Sequence, residues 1–178
     1  MNYSVISSVS GVIAVEFVCV SYFSKKKTFL LFQSLCIVFL IISYLFNLQF
    51  FSAVGLAVGL FRTIAFFIYE NREETPTLSV SFIFAILTLI SYYIINFYIL
   101  KGSKPLDFLY LVSLILYAFI YRIANINTLR LLTFIPTTLS IIYNVLTFSP
   151  PFITISYAIE FIANLISVIK NQIITVKN

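Results

Sequence analysis

Apolar runs of about 20 residues, separated by short polar stretches, follow one another along the whole chain. A run of this length crosses the hydrocarbon core of a bilayer as a single α-helix. The pattern therefore predicts seven transmembrane helices. Their expected ranges are 3–24, 28–48, 51–70, 78–100, 106–121, 129–148 and 151–169.

Polar or helix-breaking segments account for the ends of these runs. They are Lys25–Lys27, 47–49, the acidic 70–77 with Pro76, 101–107 with Pro105, 122–127, and the proline pair at 150 and 151. Paired prolines suit a first helical turn, where a missing N–H does no harm. Pro136 falls inside the sixth run, so we expect a kink there.

The composition supports a membrane protein over a soluble one. Of 178 residues, 61% are hydrophobic, 10% are charged and the mean hydropathy is +1.08, whereas soluble domains carry roughly 25% charged residues. We interpret residues 1–178 as a single polytopic domain whose main partner is the lipid bilayer. The net charge of +5 is dispersed between apolar runs, which argues against nucleic-acid binding.

Enzymatic and metal chemistry find little support in the sequence. The chain has no histidine, and its two cysteines lie within predicted spans, so we expect neither a metal site nor a cofactor. It contains no nucleophile elbow and no Gly-rich phosphate loop. An intramembrane enzyme is therefore the least supported class.

Lysine and arginine at the span ends predict the orientation. With the N-terminus outside, the cytoplasmic ends carry eight basic residues and the outer ends carry two. The cytoplasmic set is Lys25, Lys26, Lys27, Arg72, Arg122, Arg130, Lys170 and Lys177, and the outer set is Lys101 and Lys104. We therefore predict an N-out, C-in protein of the cell membrane.

Seven spans divide into three, one and three. The expected units are a first triplet at 1–72, a linker helix at 78–100 and a second triplet at 106–171. An offset of about 99 residues brings Ile42–Tyr44 onto Ile141–Tyr143. Since an odd linker helix makes the two triplets parallel, the arrangement resembles that of SWEET-type sugar facilitators and related vitamin permeases.

Short segments also resemble the bacterial inner-membrane proteins of the YgjV type. They are Gly11–Ala14, the run ending at Arg62–Thr63, the segment Ile142–Asn144, and an acidic residue in the last span. This resemblance implies a SWEET-like fold in the bacterial inner membrane, and it implies no defined biochemical role. Glu160 lies about one turn from that family's usual acidic position, and Glu16 is outside its pattern.

Arg62, near the middle of the third span, is the first candidate site residue. Gly55 and Gly59 share its helical face. An arginine at bilayer depth costs about 2.5–3.5 kcal/mol on insertion scales unless a partner or water compensates it. The acidic residues expected at comparable depth are Glu160 and Glu16. Glu160 with Arg62 is either a binding site or an ion pair that fixes helix register. Glu16 joins the Arg62 site, meets a second subunit or sits protonated.

Polar residues at helical spacing complete the candidate site. The last span carries Ser156, Tyr157, Glu160, Asn164 and Ser167, the sixth carries Thr133, Thr137, Ser140 and Asn144, the fifth carries Tyr110, Ser113 and Tyr117, and the second carries Gln33, Tyr44 and Asn47. Such stripes face other helices or a wet cavity. From them we select Tyr157, Asn144 and Asn164 as further binding candidates, the alternative being hydrogen bonds that only hold the bundle together.

The resulting hypothesis is a permease that moves a small polar solute, passively or with a proton, through a midplane site. The rival is a non-transporting receptor or assembly protein of the same fold. The two differ in one geometric feature, because a permease needs a water-accessible cavity at the level of Arg62. The face of Gly55 and Gly59, together with Glu16, leaves room for a homo-oligomer.

Overall fold

The structure, a computed structural model, describes residues 3–100, 105–149 and 151–176, with side chains described up to residue 169 except at positions 3, 4 and 167. Within these ranges every regular element is helical. The α-helices are α1 Tyr3–Tyr22, α2 Lys26–Phe46, α3 Phe50–Asn71, α4 Leu78–Ile94, α5 Asp107–Ile120, α6 Ile126–Leu146 and α7 Pro151–Val176. A short π-helical segment, Ile95–Ile99, continues α4. The predicted all-helical fold is therefore confirmed.

Two helix ends differ from the prediction by three residues or more. α6 begins at Ile126, three residues before the expected start, because Asn125 caps it. The Asn125 side-chain oxygen accepts hydrogen bonds from the backbone N–H groups of Asn127 and Thr128, at 2.9 and 3.3 Å. α7 continues beyond 169 to Val176, and α6 remains helical on both sides of Pro136.

Five helices are long and apolar enough to cross a membrane, namely α1, α2, α3, α4 with its π-helical continuation, and α6. The described part of α5 has 14 residues, which corresponds to about 21 Å against a hydrocarbon core of about 30 Å. The apolar part of α7, Pro151–Ile166, is also shorter than a full span. A multi-pass membrane protein is therefore supported. Lys101, Lys104, Lys177 and the side chain of Lys170, which enter the predicted orientation, lie outside what the structure describes.

Helix contacts run in a closed circuit. α1 packs on α2 and α7, α2 on α3, α3 on α5, α5 on α6, and α6 on α7. α4 packs against α3 and α5 and leaves large apolar side chains exposed, among them Phe82, Ile86 and Ile90. Apolar surface of this kind suits hydrocarbon better than water.

Polar side chains face inward across this circuit, as their spacing predicts. The buried set includes Gln33, Tyr44, Tyr110, Ser113, Tyr117, Thr133, Thr137, Ser140, Asn144, Ser156, Tyr157, Glu160 and Asn164. Asn47 is half-buried. The bundle therefore carries its hydrogen-bonding groups inside and its apolar groups outside.

α2 and α6 correspond closely to each other. α6 begins and ends 100 residues after α2, and the turns that follow hold Leu48 and Phe148 at φ 59° and 52°. The bounds of the two helices therefore match at a register of 100 residues, whereas the Ile-Tyr matches in the sequence indicated about 99. At this register Tyr44 corresponds to Asn144, and the Tyr44 hydroxyl donates to Asn144 Oδ1 at 2.7 Å.

Candidate functional site

Small residues on α3 let the neighbouring helix α5 approach the arginine. A Cβ atom added at Gly55 would lie 2.5 Å from Leu114 Cδ1, so α5 occupies the space that a side chain would need. One added at Gly59 would lie 3.5 Å from Arg62 Nη2. The small face of α3 therefore serves packing at Gly55 and adjoins the guanidinium at Gly59.

The Arg62 side chain is 4% exposed and sits against α5. Its Nη1 donates to the backbone oxygen of Leu114 at 3.0 Å. The Cζ atom lies 5.7 Å from the ring centroid of Tyr117 and 5.1 Å from that of Tyr121, within the range of a cation–π interaction. The Nε–H is buried without an acceptor in the described part of the molecule.

Glu160 on α7 accepts hydrogen bonds from three other helices. Its Oε1 receives the Tyr22 hydroxyl of α1 at 2.6 Å, the Tyr117 hydroxyl of α5 at 3.0 Å and the Thr137 hydroxyl of α6 at 3.2 Å. Hydroxyl donors stabilise a carboxylate that has left water. This one oxygen therefore ties α7 to helices from both ends of the chain.

Arg62 and Glu160 line one cavity of about 30 Å³. Among the described residues neither belongs to an ion pair. Tyr117 bridges them, because its hydroxyl reaches Glu160 while its ring faces Arg62. A cavity of this size holds a water molecule or two, so the structure is closed around its two charges. The other lining residues are Gln33, Cys36, Ile37, Leu40, Leu56, Leu114, Tyr121 and Tyr157.

The remaining candidates divide between this cavity and other places. Tyr157 lines the cavity. Asn144 is outside its lining and bonds to Tyr44 and to the Ser140 backbone oxygen. Asn164 is fully buried elsewhere, where its Nδ2 donates to Thr133 Oγ1 at 2.9 Å. Glu16 is exposed on α1 and is not part of the lining.

A second cavity, of about 100 Å³, lies between the start of α3, the start of α5 and the end of α6. Tyr143 lines it and stacks on Tyr110, with the ring centroids 4.7 Å apart. The Tyr110 hydroxyl in turn lies 3.5 Å from that of Tyr157, which lines the central cavity. The stacked pair Tyr110–Tyr143 therefore links the walls of the two cavities.

Three residues of the central site were not predicted from the sequence to belong to it. Tyr22, at the end of α1, falls on the buried face with Ala14 and Val18 at i, i+4 spacing, a pattern that would have aimed its hydroxyl inward. Tyr121 follows Tyr117 by one turn and covers Arg62. Cys36 lies within a predicted span, and the structure shows that its buried thiol lines the cavity.

No family model, no curated protein and no solved structure matches this chain. The resemblance to the YgjV type and to the SWEET-like fold therefore stays a prediction. Function has to be argued from the geometry of the central cavity, the cross-helix hydrogen bonds and the apolar exterior.

Proposed function

We propose that this protein is a membrane permease for a small polar solute and that the structure is its closed state. The observation that carries the proposal is the central cavity, where Arg62 and Glu160 stand on opposite helices without pairing. Burying two charges costs several kcal/mol per ion. A pair that served stability alone would offset most of this desolvation cost by direct contact between the two charges, and Arg62 and Glu160 make no such contact.

The connectivity favours two parallel triplets, α1–α3 and α5–α7, joined by α4. Residues 100 apart touch each other at two places, through Tyr44 with Asn144 and through Gln49 with Ser149, whose Oγ donates to Gln49 Oε1 at 3.1 Å. Equivalent residues of two repeats meet only near the axis that relates the repeats. This supports the SWEET-like 3+1+3 plan in the N-out, C-in orientation, with the site between the triplets.

Contacts between the triplets close the cavity on both sides. On one side the Ser52 hydroxyl of α3 lies 3.0 Å from the Tyr143 hydroxyl of α6, and the Phe51 ring of α3 packs edge-on against the Tyr110 ring of α5. On the other, the Tyr22 hydroxyl reaches Glu160, and Arg130 Nη2 donates to the Ser24 backbone oxygen at 2.8 Å. These are hydrogen bonds and ring contacts, which exchange with water and solute at modest cost, so rocking of the triplets opens either side in turn.

Cys36 gives a direct test because it is 2% exposed and faces the cavity. In a Cys19→Ser background it is the one remaining thiol of the chain. We expect a membrane-impermeant methanethiosulfonate reagent to modify Cys36 slowly from each side of oriented vesicles. The Cys36→Ser variant, which keeps Cys19, provides the matched control for labelling outside the cavity.

The three outcomes separate the proposal from its rival. Modification of Cys36 from both sides supports alternating access of a permease. Modification from one side alone replaces the permease by a receptor that admits a ligand and does not conduct it. An inert Cys36 on both sides, in protein that reacts once unfolded, rejects both and leaves a packed assembly protein.

A further inference from the structure

We infer that the solute recognised at the central cavity carries a carboxylate, an inference that rests on the permease function proposed above. The argument starts from which edge of Arg62 is committed. Nη1 donates to Leu114, whereas Nε–H is buried without an acceptor and Nη2 makes no hydrogen bond within the described part of the chain. A Cβ added at Gly59 would lie 3.5 Å from Nη2, so the absent side chain leaves space beside this nitrogen.

Nε and Nη2 form the side edge of a guanidinium, the edge that binds a carboxylate through two parallel N–H···O bonds. In Arg62 this edge belongs to a side chain that is 96% buried and lines the cavity. The guanidinium already stacks on the rings of Tyr117 and Tyr121. The partners of the guanidinium are therefore two aromatic rings and one carbonyl oxygen, and none of them is an anion.

Glu160 does not supply that anion. Its Oε1 is occupied by the hydroxyls of Tyr22, Tyr117 and Thr137, and no ion pair joins it to Arg62 in the described residues. Oε2 accepts no hydrogen bond there, so it is the oxygen that takes up a proton when an anionic solute enters. A carboxylate solute then meets Arg62 Nε–H and Nη2–H on one side and the Glu160 carboxyl on the other.

The remaining lining restricts the chemical class of the solute. Ile37, Leu40, Leu56 and Leu114 form an apolar wall, and Tyr157 adds a ring. The chain has no tryptophan, the residue that supplies the broad stacking platform of many sugar sites. A short aliphatic or aromatic acid therefore fits this lining better than a polyhydroxylated sugar does.

Three planar probes of one shape separate charge from size: acetate, acetamide and acetamidinium. We expect acetate alone to raise the melting midpoint of the detergent-solubilised protein at matched ionic strength. A probe at about ten times its dissociation constant should raise the midpoint by about 3–6 °C. Arg62→Lys keeps the charge and loses the two-pronged edge, so its response to acetate should fall to that of acetamide.

Arg122→Lys is the matched control, because Arg122 is an arginine outside the cavity lining whose Nε donates to the Pro76 backbone oxygen at 3.0 Å. It should keep the acetate response in full.

Acetamidinium raising the midpoint in place of acetate would overturn the inference and assign the site to cations at Glu160. Equal shifts of the midpoint by acetate in the wild type and in Arg62→Lys would overturn it as well. So would the absence of a midpoint shift with all three probes. In each case two-sided labelling of Cys36 would leave the permease proposal standing, whereas an inert Cys36 would remove both.

Discussion

The hydrogen bond from Tyr22 to Glu160 is the contact most open to a quantitative test. It joins α1 to α7 at 2.6 Å between two side chains that are almost fully buried. Tyr22→Phe removes this one donor and leaves Glu160 with the hydroxyls of Tyr117 and Thr137. The substitution keeps the ring that packs edge-on against Phe29, so the change isolates the hydroxyl.

The magnitude follows from two bounds. Hydrogen bonds to charged groups contribute about 1.5–3 kcal/mol in soluble proteins, whereas side-chain hydrogen bonds within a membrane protein average about 0.6 and reach about 1.7 kcal/mol. The short distance and the depth of burial place this bond near the top of the membrane range. We therefore expect Tyr22→Phe to lower the free energy of unfolding by about 1–2 kcal/mol, or the melting midpoint by about 2–8 °C.

Tyr121→Phe is the matched control for this loss. Tyr121 is also buried, at 3% exposure, and lines the central cavity together with Glu160. Its hydroxyl has no hydrogen-bond partner in the part of the chain that the structure covers, so the same chemical change should leave the midpoint within about 1 °C.

Cys36 supplies the assay, since its buried thiol reacts with a fluorogenic maleimide as the bundle opens. Melting and detergent titrations are followed in a Cys19→Ser background. Combining Tyr22→Phe with Glu160→Gln should give a coupling energy of about 1 kcal/mol, because the pair shares one bond. Equal midpoints for Tyr22→Phe and Tyr121→Phe, or a coupling energy of zero, would refute the reasoning that this bond ties α1 to α7.

Two further predictions concern packing and charge at other places in the bundle. Gly11→Ala should lower the free energy of unfolding by about 1–3 kcal/mol, as overpacking does, because the new Cβ would lie 2.6 Å from Phe152 Cβ. Gly59→Ala is the control and should be neutral, because its new Cβ would have an ordinary nearest contact of 3.5 Å. Similar melting midpoints for the two variants would contradict this prediction. Glu70→Gln breaks the 2.7 Å ion pair between Glu70 and Lys26. Because the Glu70 side chain is 30% exposed, the free energy of unfolding should fall by at most about 1 kcal/mol, and this loss should shrink as salt is added. A loss that is unchanged between low and high ionic strength would place this pair in a drier environment than its exposure indicates.

The sequence by itself determined the helices and which faces point inward. Apolar runs fix where helices form because an exposed backbone is too costly in hydrocarbon, and the spacing of Thr133, Thr137, Ser140 and Asn144 correctly predicted a buried polar face. It also singled out Arg62, Glu160 and Tyr157, which the structure brings to one cavity. Composition and helical periodicity suffice for these conclusions because both act within a single helix.

Which inward-facing groups meet was decided by the tertiary structure alone. Sequence spacing made Asn144 and Asn164 binding candidates equal to Tyr157. The rotation and crossing of the helices instead place Asn144 against Tyr44 and Asn164 against Thr133, outside the cavity lining. The partner of Glu160 proved to be a set of hydroxyls rather than Arg62, because α1, α5 and α6 converge on α7 at that depth. Distances between helices depend on how side chains pack around the whole circuit, and no local pattern in the chain encodes that.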